Sequence, residues 1–196
     1  MGHAKRTQWS EIWCVLIVAG SFLAGGVLGC LFGALTGDTG AEEIERYLRD
    51  FVALSAAGEV MWTVPTVLWH RGRWLICCGI FGLSALGILF LPMVFGLRGF
   101  LLAFGVSCFV RIFGVAGLLP AALMFGVPTM LWLPGFLLLG MVCMCRGLCA
   151  LRKGEGPSGV DVRKAVLNAG LFLALCVIFE CGLLPRLLSA AARILQ

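Results

Sequence analysis

Charge is what this sequence has least of. Asp, Glu, Lys and Arg make up only 13% of the 196 residues, while 61% are hydrophobic and the mean hydropathy is +1.03. A soluble domain carries roughly 25% charged residues, so a water-soluble globule, a disordered tail and a nucleic-acid-binding module are excluded. Histidine is limited to His3 and His70. There is no HExxH, GxSxG, P-loop or dinucleotide fingerprint, and Ser84 and Ser107 have no candidate base within their segments, so neither an enzyme nor a cofactor is expected. The ten cysteines contain no CxxC pair, which argues against a metal site. Cys14, Cys30, Cys77, Cys78, Cys108, Cys176 and Cys181 lie in apolar runs and read as small hydrophobes. Cys143, Cys145 and Cys149 cluster beside Arg146, where reversible acylation and chance both stay open.

What the sequence does have is long apolar runs, and a helix needs about 20 such residues to cross a bilayer. They predict an all-α fold, a polytopic membrane helical bundle forming one domain over 1–196. About five transmembrane helices are expected, near 12–35, 74–95, 100–117, 118–145 and 165–184. The first run is too long for a secretory signal. A lipoprotein box at Val27–Cys30 is disfavoured, because Val27 stands where Leu is expected and Leu28 where a small residue is.

Gly25, Gly29, Gly33 and Gly37 recur every four residues and share one helix face, a stripe that lets another backbone approach closely. The stripe serves either another span of the same chain or a second copy, so a homo-oligomer stays open. Residues 36–73 form an extracytoplasmic loop. There Ile44, Tyr47, Leu48, Phe51 and Leu54 make an apolar stripe among Glu42, Glu43, Glu45, Arg46, Arg49 and Asp50, predicting an amphipathic helix capped at Asp38 or Thr39. Trp62, Trp69 and Trp74 suggest an interfacial helix broken at Pro65. Ile44, Tyr47, Phe51, Trp62 and Trp69 are candidate partner-docking residues.

Gly96-Leu97-Arg98-Gly99 reads as a tight polar turn between the second and third spans. Pro120, Pro128 and Pro134 predict a fourth span kinked or partly unwound near its start. Residues 146–164 form a basic cytoplasmic loop, and Arg186–Gln196 a short amphipathic tail. With the amino terminus in the cytoplasm, the inner side holds eight basic residues, Arg98 among them, against seven outside. The dense loop at 146–164 favours this orientation: a multi-pass protein of the cell membrane with its carboxyl terminus extracytoplasmic. Arg111 and Glu180 fall inside apolar spans, where an unpaired charge is costly. They suggest an ion pathway or proton relay, or else a structural pair or snorkelling toward the head groups.

The order of several motifs resembles the stage II sporulation protein M family, polytopic membrane proteins of endospore-forming bacteria. The resemblance spans nearly the whole chain. It is carried by FLAGGVLGCLFG (22–33), MWTVPTVLWHRGRW (61–74), GLSALGILFLPMVFGLRGFLLAFGVSCF (82–109), LLP (118–120) with Pro128, and FECGLLP (179–185). Family positions fall on Gly82, Leu83, Ser84, Gly87, Arg98, Gly99, Phe100, Pro120, Pro128, Glu180 and Pro185. The chain departs at Ala121 and Ala122, where members tend to carry polar residues, and at Arg98, where a lysine is expected. The resemblance implies a non-enzymatic anchor that places two cell-wall-degrading partners, stage II sporulation proteins P and D, at the septal and engulfing membrane. The 38–73 region and the Gly25–Gly37 face are the expected docking surfaces. The other class kept open is a small transporter or channel using Arg111 and Glu180.

Overall fold

A computed structural model describes residues 2–35, 38–59, 62–82, 87–151 and 162–194, and among them there is no strand. The long elements are α1 (Gly2–Leu35), α2 (Asp38–Ala57), α3 (Val64–Gly82) and α4 (Gly87–Phe113). A 3-10 turn (Gly114–Gly117), the one-turn helix α5 (Leu118–Ala121) and a π turn (Ala122–Gly126) lead into α6 (Val127–Leu151). α7 (Val162–Ile178), a second π turn (Phe179–Leu183) and α8 (Leu184–Ile194) complete the chain. Three stretches, Ile12–Leu35, Gly87–Leu148 and Val162–Ala192, are long and apolar enough to cross a membrane.

Apolar side chains cover the outside as well as the core, since Leu23, Leu28 and Phe32 on α1, Leu89 and Met93 on α4 and Leu167 and Leu171 on α7 are all exposed. A contiguous surface of this kind is foreign to a soluble monomer. The interior is instead aromatic and small: Phe95 stacks on Phe136 with ring centroids 4.1 Å apart, Trp132 on Phe136 at 4.2 Å, and Cys14, Val18 and Cys176 fill the gaps.

Packing sets the helix directions. Gly25 faces Gly96, Gly29 faces Phe100 and Gly33 faces Ser107, so α1 and α4 run parallel. The longest apolar stretch folds back on itself, because Phe95 meets Phe136 while Gly105 meets Phe125. The fold-back follows Phe113, where Gly114 takes φ +63, a left-handed conformation that suits glycine. α6 then meets α7 antiparallel, with Gly135 against Ala169 and Pro128 against Cys176. Trp74 lies near Arg98 and Phe81 on Phe90, so α3 runs opposite to α4. α2 and α8 lie together at the end where α4 finishes; Leu48 and Val52 share a cluster there with Phe109, Ala121 and Ala192.

Two expectations change. Gly96–Gly99 is not a turn, because α4 runs unbroken from Gly87 to Phe113. A helix keeps its backbone hydrogen bonds inside an apolar medium, and the two glycines give α1 a flat face: a Cβ at Gly99 would overlap the carbonyl of Phe22. Nor does Pro65 break a helix. It stands in the first turn of α3, where its missing N–H goes unneeded, and Thr63 precedes it with its hydroxyl 2.7 Å from that of Thr66. Residues 64–74 are therefore the first half of a helix that continues to Gly82.

Candidate functional site: a charged cavity inside the bundle

Each of the two π turns ends two residues before a proline: Ala122–Gly126 before Pro128, and Phe179–Leu183 before Pro185. Proline withholds the N–H that would bond the carbonyl four residues back, and the π turn is a local response to that loss of register. Glu180 sits in the second of these turns and is 4% exposed. Its carboxylate accepts from both Nε and Nη2 of Arg71 on α3, the Nε contact being 2.9 Å, across 109 residues of sequence. Both partners are largely buried. Cys176, one turn earlier, offers its thiol to the same oxygen at 3.5 Å and to the carbonyl of Pro128 at 3.6 Å.

Beside this pair lies a cavity of about 230 Å³, walled by Trp62, Val67, His70, Arg71, Arg73 and Trp74 on the α3 side. Arg98 of α4, Met124 and Phe125 of the first π turn, and Glu180 and Leu184 close it. Arg98 enters midway along α4 and is held between two indoles, its guanidinium carbon 5.5 Å from the ring centre of Trp74 and 5.4 Å from that of Trp132. Such an arrangement favours a cation by the ring quadrupole. Arg71, Arg73 and Glu180 are the charged neighbours acting on it. Three arginines line the space against one carboxylate, which is already engaged by Arg71. Among the described residues Arg98 Nε, Trp62 Nε1, Trp132 Nε1 and Thr129 Oγ1 are buried without a hydrogen-bond partner.

The charges marked out from the sequence part company here. Glu180 is in the cavity wall, whereas Arg111 is exposed in the last turn of α4. The bases that join Glu180 are Arg71 and Arg98. Both were legible only as a loop residue and a turn residue, and no local signal pairs them with an acid so far along the chain. Of the glycine stripe, Gly25, Gly29 and Gly33 are buried against α4 of the same chain, so that face is not free for a partner; Gly37 lies outside the described residues. Of the docking candidates, Tyr47 and Trp69 are exposed, Ile44 and Phe51 pack against the cluster beneath α2, and Trp62 lines the cavity.

Among the family positions, Gly82 abuts Cys143, Gly87 abuts the carbonyl of Phe81, and Phe100 stacks on Phe104 at 5.9 Å. Pro120 and Pro128 are buried and Pro185 half-buried, while Leu83 and Ser84 lie outside the described residues. Cys143 and Cys145 are buried in the core, which suits packing and not acylation; the side chain of Cys149 lies outside the described residues. No group of three His, Cys, Asp or Glu able to hold a metal occurs among the described residues. Comparison with known proteins returns no matching family model, no matching curated protein and no matching solved structure.

Proposed function

We propose that the chain is a membrane scaffold with five crossings, made by α1, α3, α4, α6 and the α7–α8 stretch. The helix directions support this count, since each successive long helix reverses except where the amphipathic α2 intervenes. In this reading the amino terminus and the 152–161 connection face the cytoplasm. α2, the turn at Gly114 and α8 face outward.

The observation that carries the scaffold reading is the pairing of α2 and α8 at that outer end. Their apolar faces hold them to the bundle, leaving Tyr47 and the Glu45–Arg49 ion pair (2.7 Å) on the open side. Such a platform suits the recruitment of protein partners, and by the resemblance to stage II sporulation protein M these are the wall-degrading stage II sporulation proteins P and D during engulfment. The test is recovery of partners with the tagged protein from sporulating cells, followed by mass spectrometry. Wild type retains both partners, and Tyr47→Ala loses them at unchanged abundance. Their absence from intact wild-type protein refutes the scaffold.

The second reading, transport, draws on the charged cavity, and it now rests on Arg98 and Glu180 rather than on Arg111. Flux across proteoliposomes that disappears in Arg98→Gln would favour it.

A further inference from the structure

We propose that the cavity between α3, α4 and the two π turns binds one oxyanion group, a phosphate or a carboxylate. Charge makes the first argument. Among the described residues Glu180 is the only acid in the wall, and its contact oxygen is already taken by both Nε and Nη2 of Arg71. Arg98 therefore stands in the wall without a carboxylate partner among the described residues, beside the exposed charge of Arg73, and an uncompensated cation inside a bilayer is costly. A bound anion supplies what the protein does not.

Hydrogen bonding makes the second argument, independently of net charge. Arg98 Nε and Trp62 Nε1 are buried donors with no acceptor among the described residues, and both side chains line the same space. Buried donors are almost always satisfied, and leaving one unmade costs more than a bond gains. The indoles of Trp74 and Trp132 stand near the guanidinium of Arg98 and hold it in place. Its N–H edge, with Nε and one Nη side by side, is the fork that takes an oxyanion through two parallel bonds.

Size makes the third. A water takes about 30 Å³ of liquid, so about 230 Å³ leaves ample room for a phosphate or a small carboxylate. The group comes either from a free small anion or from the head group of an anionic lipid. Arg98 binds the oxygens, Arg73 adds long-range attraction, Trp62 donates one bond, and the Arg71–Glu180 pair fixes the wall.

This inference stands apart from the scaffold reading, because it concerns the interior and not the outer helices; partner recovery and anion binding succeed or fail separately. The experiment uses the full chain in a neutral detergent. Thermal unfolding is followed with sodium phosphate, sodium acetate and sodium chloride at equal ionic strength, and in nanodiscs of phosphatidylglycerol or phosphatidylcholine. Phosphate or acetate above chloride identifies a free anion, and phosphatidylglycerol above phosphatidylcholine identifies a head group. Either gives a saturable rise of about 5–10 °C at 100 times Kd. The rise disappears in Arg98→Gln and shrinks in Trp62→Phe, which removes one donor while keeping ring and charge. A wild type that responds to none of these probes overturns the site, as does an undiminished rise in Trp62→Phe and Arg98→Gln.

Discussion

Adding a single methyl group to α1 separates two kinds of glycine. At Gly29 a new Cβ would overlap the carbonyl oxygen of Phe100 and lie 3.0 Å from its carbonyl carbon; at Gly25 it would overlap the carbonyl of Gly96. At Gly20, on the same helix, nothing lies within 4 Å. Alanine is favoured over glycine by about 1 kcal/mol in a helix interior, so Gly20→Ala gains up to that amount. The same gain applies to Gly29→Ala but is outweighed, because α1 and α4 must part by an ångström or so. Overpacking of this kind costs about 1–3 kcal/mol, and the separation also loosens Phe22 against Gly99. The two variants should therefore differ by roughly 1–3 kcal/mol, which is on the order of 2–12 °C in Tm for a chain of this size. Thermal unfolding of the purified protein in detergent reads the difference. One displacement of α1 relieves both clashes, so Gly25→Ala combined with Gly29→Ala costs less than the two singles together. Equal Tm for Gly20→Ala and Gly29→Ala would refute the parallel α1–α4 contact.

Two further perturbations test the interior and the topology. Glu180→Gln leaves Arg71 buried without its carboxylate and should cost about 3–5 kcal/mol, seen as low abundance and early thermal unfolding, while Arg71→Gln combined with Glu180→Gln recovers much of the loss; a double variant worse than the single one contradicts the pairing. In a cysteine-free background, Tyr47→Cys and Val115→Cys should be labelled by an impermeant maleimide applied to whole cells, and Lys164→Cys only after permeabilisation. Labelling of Tyr47→Cys and Val115→Cys from opposite sides would break the placement of α2 beside the end of α4.

Membrane character and the amphipathic α2 were legible because each depends on composition or on periodicity within one segment. The apolar stripe at Ile44, Leu48 and Phe51 is local information, and so is the cost of an acid at Glu180. The division of the second and third spans was not legible. Gly-Leu-Arg-Gly is a turn signal in water, where a glycine-flanked arginine seeks solvent. Inside a bundle the same glycines are a contact face, and the arginine turns inward onto Trp74 and Trp132. Moving Arg98 to mid-helix takes it out of the inner basic group, and placing Arg71 and Arg73 within α3 takes them out of the outer one, so seven basic residues stand toward the end of the amino terminus and 146–164 against five toward the other. The tryptophans of 62–74 suggested a water boundary, yet Trp62 and Trp74 wall a cavity. Arg71 looked like a loop residue because its partner lies 109 positions away.

The interior charges bear on function through what stability does not require. An ion pair buried among apolar neighbours is often no more stable than the same volume of hydrophobic side chains, and Arg98, with no carboxylate of its own, adds a desolvated cation beside that pair. A protein that only anchored partners through α2 and α8 would lose nothing by carrying Leu at 98 and 180 and Met at 71. Two π turns, each ending two residues before a proline, border the same cavity from different helices. π turns inside helices concentrate at functional sites, and here one of them presents Glu180 while the other contributes Met124 and Phe125 to the wall. The fold thus holds two separable features, the paired amphipathic helices α2 and α8 and a charged cavity with a largely apolar lining. A variant in which Arg71, Arg98 and Glu180 are all made apolar distinguishes them: it should fold at least as well as wild type and keep the outer platform, while losing whatever the cavity does.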